Sequence, residues 1–173
     1  LDLIQTGHLR IGSVQTDSIM VLSDITRADT LDITLLAGGD IVLDTGAIFM
    51  SNGNLLLDCG PSPNAIMPLT YGTEIETDTL SFGSDLLFNI AGIIPDSLHD
   101  QLHVNGVINL TGVDLKVAGS YFPTFADTFM IINNDSTDAI IGTFTGLPEG
   151  GTIANFLGTF LSATISYIGG DGN

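Results

Sequence analysis

Positive charge is what this sequence has least of. Only Arg10, Arg27 and Lys116 are basic, against 20 acidic residues, for a formal net charge of −17. Nucleic-acid binding draws its affinity from neutralised phosphates, so this balance excludes it. Docking on anionic lipid is excluded for the same reason. Tryptophan is absent and cysteine occurs once, at Cys59, so no internal disulfide can form. Cys59 reads as a buried, inert thiol, with an intermolecular disulfide as the sharper alternative. No apolar run approaches the roughly 18 residues of a membrane helix, so membrane insertion is not expected. Leu1 is followed at once by Asp2, without the basic start of a secretion signal. Residue 1 therefore reads as a mature terminus or the edge of a fragment. Glutamate is scarce too, at Glu74, Glu76 and Glu149 alone, which leaves little to furnish helix surfaces. The other acids are Asp, which suits turns because its short side chain bonds nearby backbone N–H groups. The acidity reads as a turn-rich surface, stabilised by salt or divalent cations that screen its self-repulsion. A dedicated cation site is the alternative.

What is present points to strands. The chain is 44% hydrophobic, enough to bury a core and unlike a disordered acidic tail. No long stretch repeats apolar residues at helical spacing. Short Val, Ile, Leu, Phe and Thr runs end instead in Gly, Asn, Asp and Ser. The expected fold class is all-β.

The stretch "GGDIVLDTGAIFMSNGNLLLDCG" (38–60) places Gly39, Gly46, Gly53 and Gly60 on a seven-residue beat. Each unit holds a short strand and a turn, an edge of about 15–20 Å at about 3.3 Å per residue. Three edges close a triangle and begin the next turn of a solenoid. The apolar clusters Ile41–Leu43 and Leu55–Leu57 are continuous runs, which suits strands covered on both faces. On a longer scale Leu9–Ile11 resembles Leu31–Ile33 and then Leu55–Leu57. Steps of twenty-odd residues are those of a solenoid, in which stacked coils share one core. The four glycines are assigned to corners, where a positive φ is often required. An antiparallel meander with glycine turns is the plainer alternative. "PSPNAIMPLT" (61–70) carries Pro61, Pro63 and Pro68, which cannot donate to a ladder, so a loop or boundary is expected there. The division that follows is 1–72 as parallel β-helix coils and 73–173 as a less regular β-rich part that continues or caps them.

Within residues 78 to 173, "DQLHVNGVINLTGVDLKVAGSYFPTFADTFMIINNDSTDAIIGTFTGLPEGGTI" followed by "ISYIGGDGN" resembles the C-terminal end of large secreted bacterial proteins built from autotransporter-associated β-strand repeats. "LDITLLAGGDIVLDTG" is similar, more loosely, to the phrasing of filamentous-haemagglutinin-like β-helices. The resemblance implies a right-handed parallel β-helix, secreted or on the bacterial cell surface, usually within a longer chain. It implies adhesion, surface-layer or scaffold roles and brings no catalytic residue set. It also implies a further Asp and strand beyond the position of Asn173, whose loss would open an edge to another chain.

Candidate chemistry is sparse. "GGDGN" with Asp171 resembles half of a calcium-binding nonapeptide, and the cluster Asn133, Asp135 and Asp138 offers oxygen ligands for Ca²⁺. The simpler reading of both is a turn, so Ca²⁺ is the one cofactor the sequence admits. "HDQLH" places His99 and His103 about 13 Å apart on one side of a strand, too far to share a metal. Asp40, Asp44 and Asp58 could meet across stacked coils as a glycosidase pair, which keeps a β-helical polysaccharide-degrading enzyme as a rival. The only lysine, Lys116, reads as a solvent-facing strand residue, with a covalent cross-link to Asn or Asp as the alternative. The aromatic run Tyr121, Phe122, Phe125 and Phe129 reads as core packing or a plug over a solenoid end. The expectation is a non-catalytic structural module that self-associates, or packs on neighbouring repeats, into a fibre, layer or adhesin stalk. A module binding surface glycans or a receptor is the runner-up.

Overall fold

Short β-branched and leucine-rich runs, each ended by Gly, Asp or Asn, cannot bury themselves singly, so they stack. The computed structural model describes residues 7–27, 30–44, 48–50, 52–69, 73–134 and 138–169. The first coil holds β1 (His8–Gly12), β2 (Ile19–Val21) and β3 (Ile25–Arg27). The second holds β4 (Asp32–Leu36), β5 (Ile41–Leu43) and β6 (Ile48–Met50). The third begins with β7 (Asn54–Asp58) and β8 (Ile66–Pro68), and its third side is the first half of β9 (Thr73–Phe82). The rest of β9 opens the next coil, followed by β10 (Leu86–Asn89) and the first half of β11 (Leu102–Asn109). The remainder of β11, β12 (Leu115–Ala118) and β13 (Ile132–Asn134) complete another, and β14 (Ile140–Ile141) starts one more. Beyond it lie β15 (Thr152–Ile153), a 3₁₀ turn at Phe156–Gly158 and β16 (Ala163–Thr164).

Among the described strands every pairing between β1 and β14 is parallel, and β15 pairs with β16 antiparallel. The chain is an all-β parallel solenoid with three faces. The β1 face stacks β1, β4, β7 and the later halves of β9 and β11. The β3 face stacks β3, β6, their earlier halves and β13. The β2 face is a separate sheet in the order β12-β10-β8-β5-β2. On that face the first residue of each strand donates to the carbonyl just before the strand above. The bonds are Ile19 N to Asp40 O at 3.0 Å, Ile41 N to Ala65 O at 3.2 Å, Ile66 N to Asp85 O at 2.8 Å and Leu86 N to Asp114 O at 3.0 Å.

From the second coil on, the coils lengthen upward. On the β1 face Leu9 pairs with Ile33, Ile33 with Leu55, Leu55 with Leu80, Leu80 with Ile108 and Ile108 with Ile140. Steps of 24, 22, 25, 28 and 32 residues follow from those pairs. Leu9 therefore pairs two residues beyond the Leu31 expected from the repeat. A shift of two keeps the same side chains inward, so the repeat was legible despite the wrong partner. Between Asn105 and Val107 the β9–β11 register shifts, with Thr77 and Asp78 set against Gly106 alone. This bulge lets single strands turn the corner between two faces.

Two expectations change. Residues 66–68 of the proline-rich stretch form a strand paired with β5 rather than a loop. Pro68 has no N–H to give the coil above, and β8 meets β10 at the single pair Ile66–Leu86. The continuous apolar triplets are not covered on both faces. In β5 and β8 the outer residues are buried and the middle ones, Val42 and Met67, are half-buried and point outward. The core is the inward set, including Ile33, Ile41, Leu55, Ile66, Leu86 and Phe88, all almost wholly buried.

Candidate functional site

The corner before the β2 face gathers the carboxylates nearest to a catalytic pair. Asp40 Oδ1 accepts from the Ala65 N–H of the coil above at 2.9 Å. Asp58 Oδ1 lies 3.2 Å from the Ser84 hydroxyl, which also accepts from Cys59 N–H at 2.9 Å. Both acids hold the next coil in place. Asp44 lies past the far end of β5, about 13 Å along the strand from Asp40. The three do not converge. Cys59 is buried in this corner. Burial pushes its thiol up, the Ser84 hydrogen bond opposes this, and nearby Asp40, Asp58 and Asp85 push it further.

The corner glycines are required mainly by close approach. A Cβ on Gly39 would overlap the Asp17 carbonyl, and one on Gly60 the Gly38 carbonyl, although neither has a positive φ. Gly53 alone has the expected positive φ, at 111°. Gly46 lies outside the described residues.

A second cluster surrounds "HDQLH". His99 is buried, with Nδ1 3.1 Å from Gly92 O and Nε2 3.3 Å from Met130 O. Its ring meets Phe129 edge-on at 5.6 Å. His103, in β11, pairs instead with Asp96 at 2.9 Å and lies 3.3 Å from the Asn133 amide. The two imidazoles thus have separate partners, one inward and one outward, where the strand reading put them on one side. Sequence reasoning missed Asp96, whose positive φ of 57° follows Pro95 in a tight corner. Asp100 is buried and accepts from Asn89 N–H at 2.7 Å and from its side-chain amide at 3.2 Å. Desolvation raises its pKa, while these bonds and His99 pull it down.

Of the calcium candidates, Asn133 bonds towards His103, and the Asp138 carbonyl accepts from Asn134 Nδ2 at 2.7 Å. Asp135 and Asp171 lie outside the described residues. Among the described residues no three His, Cys, Asp or Glu side chains gather to hold a metal, and no helix is long and apolar enough to cross a membrane. Lys116 is half-buried, 2.6 Å from Asp85 Oδ2 and 3.1 Å from Ser62 Oγ. It is ion-paired on the outward side of β12.

At the upper end the core is only partly covered. An apolar cavity of about 710 Å³ opens between Leu115 and Val117 of β12, the 123–134 segment and the 140–169 segment. Tyr167 braces the last segment, its hydroxyl donating to Leu147 O at 2.7 Å and accepting from Phe144 N–H at 3.0 Å. Phe129 packs against Tyr121 and Phe156. Phe122, Phe125 and Phe160, by contrast, are exposed, the last two fully. Half of the aromatic run is therefore turned to solvent rather than packed in a core. Family models, curated proteins and solved structures give no match to this chain.

Proposed function

We propose that the chain is a non-catalytic structural module of an extracellular or cell-surface bacterial protein, serving a fibre, a surface layer or an adhesin stalk. The observation that supports this most is the use of its polar groups. Asp40 and Asp58, the carboxylates nearest to a catalytic pair, hold coil to coil at one corner, and parallel ladders join successive coils on three faces. In a chain organised this way each inner coil is held by the coils on either side of it. The resemblance of residues 78 to 173 to secreted repeat proteins supports the location. Thermolysin digestion tests the module, with a folded core expected to survive where the heat-unfolded chain is degraded. Reducing ends released from a polysaccharide by the native chain, and lost in Asp40→Asn, would overturn the non-catalytic reading.

A binding module is the second reading, favoured by the exposed rings Phe122, Phe125 and Phe160. Aromatic faces stack on apolar faces of sugars, so glycan-array signal that disappears in Phe125→Ala and Phe160→Ala would select it.

A further inference from the structure

A buried imidazole with a carbonyl at each nitrogen is short of a proton. His99 is 1% exposed, with Nδ1 3.1 Å from Gly92 O and Nε2 3.3 Å from Met130 O. A carbonyl only accepts, and a neutral imidazole has one N–H. The neutral ring therefore satisfies one contact and turns a lone pair on the other. The imidazolium, with two N–H groups, satisfies both. Burial keeps water from replacing the missing bond. The Met130 carbonyl already accepts from Gln101 Nε2 at 2.7 Å, and its contact to the ring is the longer. It is the contact that the neutral ring gives up.

Met130 ends a stretch with little else to hold it. Between Ala118, the end of β12, and Ile132, the start of β13, no residue belongs to a strand. Tyr121 N–H reaches Ile90 O at 3.3 Å, and the Phe129 ring meets His99 edge-on at 5.6 Å. Residues 123–134 form one wall of the apolar cavity. We propose that residues 121–130 are a pH-sensitive strap over this cavity, latched by His99. The protonated ring ties Met130 O of the strap to Gly92 O of the loop between β10 and β11. Loss of the proton releases the tie at Met130, so the strap is tight at low pH and loosens as pH rises. The charges nearby act in the same sense or have other partners. Asp100 follows His99, and its carboxylate and the imidazolium stabilise each other. Asp96 of the same loop pairs with His103. Asp127 of the strap accepts from Thr124 N–H and the Tyr121 hydroxyl. β10, β13 and the 3₁₀ turn, which read LLFN, INN and FLG, add no charge. The latch concerns access to the cavity and is independent of the structural-module reading.

Nitrogen NMR of the unmodified chain between about pH 8 and pH 5, the range in which imidazoles titrate, tests it. Imidazole nitrogen shifts report the state of His99. Hydrogen exchange of the Gln101 side-chain amide and of Tyr121 N–H reports opening of the strap. Corrected for the intrinsic pH dependence of exchange, protection should rise about tenfold or more as both nitrogens of His99 become N–H. His99→Gln should abolish the rise, and Asp100→Asn, which removes the neighbouring buried acid, should keep it. Protection that stays constant while the ring passes between its two states overturns the latch. A ring that holds one state throughout overturns it as well, and so does a rise that survives in a folded His99→Gln or disappears in Asp100→Asn. Should His99→Gln fail to fold, the unmodified chain decides alone.

Discussion

At Gly60 the chain below comes so close that hydrogen is the only side chain the corner admits. Gly60 N–H reaches Gly39 O at 3.3 Å, and the Gly38 carbonyl occupies the place of a Cβ. Gly60→Ala should cost about 1–3 kcal/mol, a fall of several degrees in Tm. Gly169→Ala, whose Cβ meets nothing nearer than 3.9 Å, should be close to neutral. Cys59 combines burial with a raised thiol pKa, so alkylation should proceed at the rate of opening rather than of bare thiol chemistry. Iodoacetamide labelling followed by mass spectrometry checks this; rapid labelling of the folded chain would contradict it. Two acids give opposite pH dependences. Burial raises Asp100, so its charged form costs stability at neutral pH, a cost that disappears as pH falls through its folded pKa. Asp127 is lowered by the Thr124 N–H and the Tyr121 hydroxyl. Its contribution is present above the unfolded pKa and is lost as pH falls through the folded one. Urea midpoints against pH should show Asp100→Asn removing the gain on mild acidification and Asp127→Asn softening the loss in stronger acid.

Among the elements, position in the stack governs how much each strand contributes. Leu57 in β7 is fully buried between coils, whereas Val117 in β12 faces the partly open upper end. Leu57→Ala should therefore cost about 2–5 kcal/mol, and Val117→Ala clearly less, as read from chemical denaturation. Most strands were legible because they are brief apolar runs between turn residues, unlike the first half of β9, whose TEIET is largely polar. The coil repeat was legible because the runs beginning at Leu9, Leu31 and Leu55 recur at nearly even steps, although Leu9 pairs with Ile33. The strand at Ile66–Pro68 was not, because Pro68 is compatible with a parallel strand whose upper pairing ends early. Among the site residues, Asp40 and Asp58 were visible as acids near corners. Their engagement with Ala65 and Ser84 one coil away depends on register, which a single sequence specifies only loosely. The outward turn of Val42 and Met67 escaped notice because a continuous triplet looks the same whether its middle residue faces a core or solvent.

For the whole molecule, spacing between strands sets the dimensions. The path β1-β4-β7-β9-β11-β13 makes five steps of about 4.8 Å, roughly 24 Å of stack. A coil of 24 residues, such as that from Leu9 to Ile33, thus adds about 0.2 Å of length per residue, against 1.5 Å in a helix. The ladder hydrogen bonds also run along the stack. A pull applied at the two ends meets them head-on, one coil at a time, and each coil that peels away frees about 80 Å of extended chain. Under tension the solenoid is therefore a store of hidden length. A surface tether built from it would yield in repeated small steps, dissipating the load while the remaining coils stay folded.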